Sequence, residues 1–111
     1  MKNMTPKKKH GPEWYIQQDI IKFLRVREWL VKPTHGSVFQ SGFPDLYATH
    51  SIYKQRWIEV KNPAAYRFQP TQLDWFPQFV AHGSGVWVLV AATDAEYAKL
   101  FKPCNWWQYI K

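Results

Sequence analysis

Two short blocks of this 111-residue chain carry residue types that could act on a phosphodiester: Gly42-Phe43-Pro44-Asp45-Leu46 and Trp57-Ile58-Glu59-Val60-Lys61. Read across a hairpin they give Asp…Glu-x-Lys, two carboxylates and an ammonium. A phosphodiester is already anionic, so an attacking hydroxide is repelled unless a divalent cation lies between them, and carboxylate oxygens hold such a cation. Each block alone has an ordinary explanation. Glu-x-Lys also arises from alternating charges on a solvated strand, and Pro-Asp marks turns. The chemistry depends on whether the surrounding elements bring the two blocks together.

A turn centred near Ile52 would set Asp45 opposite Glu59, and facing residues in an antiparallel pair have Cβ atoms about 4.5–5.5 Å apart. The strand period of two then puts Trp57, Glu59 and Lys61 on one face, with Ile58 and Val60 on the other. The strands are predicted over Asp45–His50 and Arg56–Lys61. Before them, a helix starts at Pro12 and runs to about Glu28, with Ile16, Ile20, Phe23 and Leu24 at helical spacing. Glu13 and Gln17 share a stripe with Ile20 and Leu24, which aims a carboxylate and an amide towards a site on the sheet. Trp29–Lys32 reads as a first strand closed by Pro33. Beyond Asn62-Pro63, a second helix opens at Pro70-Thr71-Gln72, buries Leu73, Phe76, Phe79 and Val80, and ends at His82-Gly83. The apolar run Val86–Ala92 reads as a central strand buried on both faces. Thr93 caps a short third helix through about Phe101. This order predicts an α/β domain with a small mixed central sheet of about four strands flanked by helices.

Fifteen Lys and Arg against 8 Asp and Glu leave a formal charge of +7, which favours a polyanionic partner. The segment 1–11, with Lys7, Lys8 and Lys9, reads as a basic flexible arm, and residues 12–111 as a single domain. One cysteine, Cys104, excludes an intrachain disulfide. No apolar run approaches the roughly 20 residues that span a bilayer, and the charged start leads into no apolar signal region, so the sequence reads as a cytoplasmic protein. Aromatic residues make up 18% of the chain, with seven Trp, more than one small core readily hides. Some are expected at a subunit interface or on nucleic acid. The histidines stand at no ligand spacing with one another or with Cys104.

Together, Glu13 and Gln17, Gly42-Phe43-Pro44-Asp45-Leu46, Glu59-Val60-Lys61 and Gln72 resemble the PD-(D/E)xK nuclease superfamily, and more closely its VRR-NUC branch, in type and in order. The resemblance covers about residues 12 to 95 and implies a restriction-endonuclease-like core. It implies Asp45 and Glu59 as ligands of Mg²⁺, for which Mn²⁺ substitutes, with the Val60 carbonyl completing the shell and Glu13 as an outer or second-metal ligand. Lys61 would orient water or neutralise charge on the phosphorane, and Gln72 would position Lys61 or the phosphate. On residue type alone, Gln72 is equally a solvent-facing residue of a first helical turn, and Glu13 a helix N-terminal charge. Lys7, Lys8, Lys9, Lys32, His35 and Arg67 are candidate DNA contacts.

These readings converge on a divalent-metal-dependent DNA endonuclease, and the resemblance implies 5′-phosphate and 3′-hydroxyl ends. So small a domain has little surface for sequence readout, which points to branched or junction DNA, and the resemblance implies a homodimer. The competing readings are a non-catalytic DNA-binding module on the same fold and a sequence-specific restriction-type endonuclease. The first would have no need of Asp45, Glu59 and Lys61 together, and no recognition insert suggests the second.

Overall fold

In the computed structural model, which describes residues 11–34, 42–64 and 66–109, the hairpin forms in the expected register: Leu46 pairs with Ile58 and Tyr47 with Trp57, antiparallel. The elements run α1 (Pro12–Arg25), β1 (Leu30–Pro33), β2 (Leu46–His50), β3 (Lys54–Val60), α2 (Pro70–Ala81), β4 (Val86–Leu89) and α3 (Asp94–Tyr97). Short 3-10 turns follow at Ala98–Phe101 and Trp106–Tyr109. Among the described residues the strands form one mixed four-stranded sheet ordered β1-β2-β3-β4, in which only the β3–β4 pair is parallel.

Strand alternation sorts the sheet into two faces. Val31, Leu46, Ala48, Ile58, Val60, Trp87 and Leu89 point one way and pack with Ile20, Ile21 and Leu24 of α1 and with Tyr97 and Leu100. The other face carries Trp57, Glu59, Val86 and Val88, and α2 covers it with Phe76. Glu59 therefore lies beneath α2 on a strand flanked by neighbours on both sides.

Three predicted elements differ from those observed. β4 is buried at all four positions but forms the edge of the sheet rather than its centre. Its outer side is closed by Asn105, whose Oδ1 accepts from the Val88 N–H at 2.8 Å and whose Nδ2 donates to the Val88 carbonyl at 3.3 Å. A single side chain thus satisfies both groups of Val88 that a fifth strand would have paired. The strand also stops at Leu89, because the next amide, Val90 N–H, is taken by the Glu96 carboxylate at 3.0 Å.

On α2, Gln72 and Phe76 are the buried residues, while Leu73 is 43% exposed. The face is turned by one position because the first turn is a capping box. Gln69 accepts from the Gln72 amide, and Gln72 Oε1 accepts from the Gln69 N–H at 3.0 Å. Pro77 sits on the exposed side, where water can reach the Leu73 carbonyl that its missing N–H leaves open.

Helix α1 ends at Arg25, not Glu28, in a Schellman turn: Glu28 N–H donates to Arg25 O and Trp29 N–H to Leu24 O, both at 3.1 Å. Glu28 occupies the left-handed position of that turn, at φ 68° and exposed to solvent, where glycine would be unstrained. Replacement Glu28→Gly is expected to stabilise the fold by about 1 kcal/mol. A calorimetric Tm higher by about 4–8 °C would register it, and an unchanged or lower Tm would contradict the strain argument.

Candidate active site

The site forms where β3 leaves the sheet. Asp45 lies just before β2, and its Oδ2 accepts the Val60 N–H at 2.8 Å, so the carboxylate closes the ladder where β2 has no further backbone to offer. Within a strand, one residue's N–H and C=O face the same neighbour. The Val60 carbonyl is thereby turned to the Asp45 side.

Glu59 is 2% and Lys61 5% exposed. The Lys61 ammonium lies 3.0 Å from Glu59 Oε2, 2.9 Å from Gln72 Oε1 and 2.8 Å from the Arg67 carbonyl, and the ring of Phe68 stands 4.6 Å away. All three of its donors are used. Gln72 Nε2 donates to Glu59 Oε2 at 2.8 Å, so one amide fixes both the acid and the lysine. Gln72 is itself 7% exposed, not solvent-facing. Glu59 Oε1 is buried with no hydrogen-bond partner.

Burial pushes the Asp45 carboxyl up to about 6, with Glu13 adding to the rise while the Val60 N–H, Lys61 and a hydrogen bond shared with the Glu59 carboxyl oppose it. Glu59 is pushed up to about 8, first by burial and then by the Asp45 charge, against the pull of Lys61 and Gln72. Glu13 comes from the opposite face of the sheet. The first turn of α1 overhangs the end of β3, and there Glu13 Oε2 accepts the Asn62 N–H at 2.9 Å.

Among the described residues, no group of three or more His, Cys, Asp or Glu is clustered to hold a metal. The groups that could hold a cation are fewer: the Asp45 and Glu59 carboxylates and the Val60 carbonyl. Mg²⁺ suits such a set, because it keeps several waters and takes one or two carboxylates rather than a full protein cage. The unpartnered Glu59 Oε1 and the mutually repelling carboxylates fit a hard cation in the same way.

The remaining candidates are dispersed. Lys32 is exposed on β1, and Arg67 is exposed in the segment leading to α2. Lys7, Lys8, Lys9 and His35 lie outside the described residues, as does nearly all of the basic arm. Arg56, a further candidate for phosphate contact by charge, is spent inside the protein: it donates to Leu100 O at 2.6 Å and to Tyr53 O at 2.8 Å, and stacks on Trp87. His50 accepts the Ile52 N–H at the hairpin turn, and Cys104 packs against the core. Trp106 sets its ring edge-on against Phe76.

Sequence reasoning missed Phe68 and the Arg67 carbonyl as walls of the lysine's pocket, since nothing in residue type marks them. It also missed the reason for Gly42. That residue has φ +92°, and a Cβ there would come 2.7 Å from Trp75 Cδ1 and 3.0 Å from Thr71 O. Only glycine lets the Asp45 loop lie against α2.

A carboxyl whose pKa is higher in the folded than in the unfolded state stabilises the fold in its protonated form. That contribution is complete below about pH 4 and is lost as pH rises through about 6 and then about 8. The metal-free protein is therefore expected to melt at progressively lower temperature between about pH 5 and 9. Mg²⁺ or Mn²⁺ added at about pH 8 should restore Tm, and less so at about pH 5, where protons compete for the same oxygens. Asp45→Asn should raise the metal-free Tm at the higher pH and abolish the response to cation. A Tm indifferent to both pH and cation would rule out this account of the pair.

No protein-family model and no curated protein matches the chain. A solved structure described as a VRR_NUC domain superposes with a TM-score of 0.62 at 23% sequence identity, over 72% of this chain and 85% of that one. The chain thus has a VRR-NUC-like α/β fold.

Proposed function

We propose that this protein is a divalent-metal-dependent endodeoxyribonuclease that hydrolyses phosphodiester bonds of DNA, selects branched or junction structures, and works as a homodimer. One observation carries the reading. A buried ammonium, fixed by Gln72 at 2.9 Å, stands beside a buried carboxylate whose second oxygen has no partner, with Asp45 held next to both.

Asp45, Glu59 and the Val60 carbonyl would hold Mg²⁺ or Mn²⁺, with Glu13 outside them. A divalent cation bound there supplies charge neutralisation at the phosphate and a more acidic water. The chain's own residues supply the rest. Lys61, with every donor engaged, acts on the phosphate as a fixed positive charge in a site from which water is largely excluded, where charge acts most strongly. Gln72 is a positioning residue that keeps Lys61 and Glu59 in one geometry. The Val60 N–H keeps Asp45 aimed along the strand end. Lys32 and Arg67, together with Lys7, Lys8, Lys9 and His35, would contact backbone phosphates. The net charge of +7 supports a polyanionic substrate. Two sites related by a two-fold axis would cut two strands symmetrically.

The test is to incubate the protein with end-labelled flap, four-way junction, single-stranded and duplex DNA in Mg²⁺, Mn²⁺ or EDTA. Cutting is expected with either metal, fastest on branched substrates, and absent in EDTA. Asp45→Ala should bind DNA without cutting it. Lys61→Ala should slow cleavage by about 10²–10³-fold and Gln72→Ala by about 10–100-fold. If the native protein and Asp45→Ala bind alike and neither cuts any substrate, the enzyme reading is wrong. Sedimentation as a monomer at working concentration would remove the symmetric-cutting reading alone.

A further inference from the structure

The sheet face that carries Glu59 also carries aromatic rings that the chemistry above leaves unused. Trp57 precedes Glu59 by two residues on β3 and so shares its face. Its ring lies 5.7 Å from Phe79 at an interplanar angle of 10° and 5.8 Å from Phe43, two residues before Asp45. Phe43 in turn stacks on Trp75 at 6.4 Å and 14°. The inner rings are half-buried, but Phe43 is 37% and Trp75 43% exposed. Isolated exposed aromatics need no explanation; a contiguous set beside two buried carboxylates does. Beyond Trp75 and Phe79 the surface opens into a cavity of about 360 Å³ that is also lined by Gln78, His82 and Ser84. Its walls are therefore two aromatic rings, an amide, an imidazole and a hydroxyl, all uncharged when the histidine is neutral.

That combination matches a nucleobase. A π-face stacks on the rings, and the neutral groups offer both donors and acceptors to a base edge. A charged phosphate finds no cation in this lining. Trp57 lies two strand residues, about 6.6 Å, from Glu59, and the rings of Phe43 and Phe79 stand against it, so the inner end of the shelf is about one nucleotide from a phosphate at the carboxylates. In a duplex both faces of a base are covered by its neighbours, and only an unstacked base can lie on a ring.

We propose that the Phe43–Trp75–Phe79 shelf and its cavity seat an unpaired base of the strand being cut, next to the scissile phosphate. This rests on the nuclease reading and names a substrate feature that reading leaves open: at least one unstacked nucleotide beside the cleaved bond.

Binding in EDTA separates the two. By fluorescence anisotropy, the native protein should hold a single-stranded oligothymidylate about tenfold more tightly than an abasic strand with the same number of phosphates. Trp75→Ala should erase that difference while leaving affinity for the abasic strand unchanged, and Trp75→Phe should restore it. Equal affinity of the native protein for both strands overturns the proposal without touching the nuclease reading, and needs no variant to fold. A preference that persists in Trp75→Ala overturns it too. If Trp75→Ala instead turns a dimer into a monomer by sedimentation, the shelf is covered by a second copy of the chain and the proposal falls. Preference for the base-bearing strand with no cleavage in Mg²⁺ would overturn the nuclease reading and leave the base seat standing.

Discussion

The joint burial of Glu59 and Lys61 is the constraint on which the other features depend. Taking both charges out of water costs more than their attraction returns unless the remaining polar atoms find partners. Lys61 finds three, from β3, from α2 and from the segment between them. Supplying them requires Gln72 inside rather than outside α2, which in turn requires the helix to begin at Pro70 and lie low over the end of β3. With α2 in that place, Thr71 and Trp75 leave no room for a side chain on Gly42. The glycine that opens the Gly-x-Pro-Asp block is thus a consequence of where the lysine's partners come from.

The tail of the chain serves the same end. Glu59 is held rigidly because β3 has a neighbour on each side, β2 antiparallel and β4 parallel. The parallel ladder continues past the strand, with Lys61 N–H donating to Leu89 O at 3.0 Å. β4 is only four residues long and would be a weak outer strand if its free edge were open. Asn105 closes it from one side, and Glu96 takes the amide that ends it. Residues far from the site in sequence therefore set the stiffness of the strand that carries it.

The hairpin was legible because its register follows from turn position and the period of two, both local quantities: a centre near Ile52 is enough to set Asp45 against Glu59. The fold class was legible for similar reasons. What the sequence hid depends on partners distant along the chain. The Val86–Ala92 run looks like a central strand, since burial on both faces and burial at both edges give the same apolar signal; only Asn105, seventeen positions after Val88, tells them apart. Leu73 looked buried because apolar spacing favours it, yet Gln72 outcompetes it by meeting a buried charge that no periodicity reveals. The end of α1 was overrun because its Schellman turn uses Glu28 where a glycine would have announced the stop.

The lysine's surroundings also explain why its position suits Lys and not Arg. An ammonium offers three donors on a compact head, and here three acceptors from separate elements converge on it while the face of Phe68 stands 4.6 Å away. A guanidinium spreads five donors in a rigid plane and fits paired acceptors on one side. Placed here it would meet the three converging acceptors with only part of its fork and leave its remaining donors buried and unmet, at a cost of about 1–3 kcal/mol for each. The pocket selects a point charge held still, and Gln72, which touches both that charge and Glu59, prevents the two from moving independently. Geometry at the carboxylates and geometry at the lysine are in this way one quantity, set by a single amide at the start of α2.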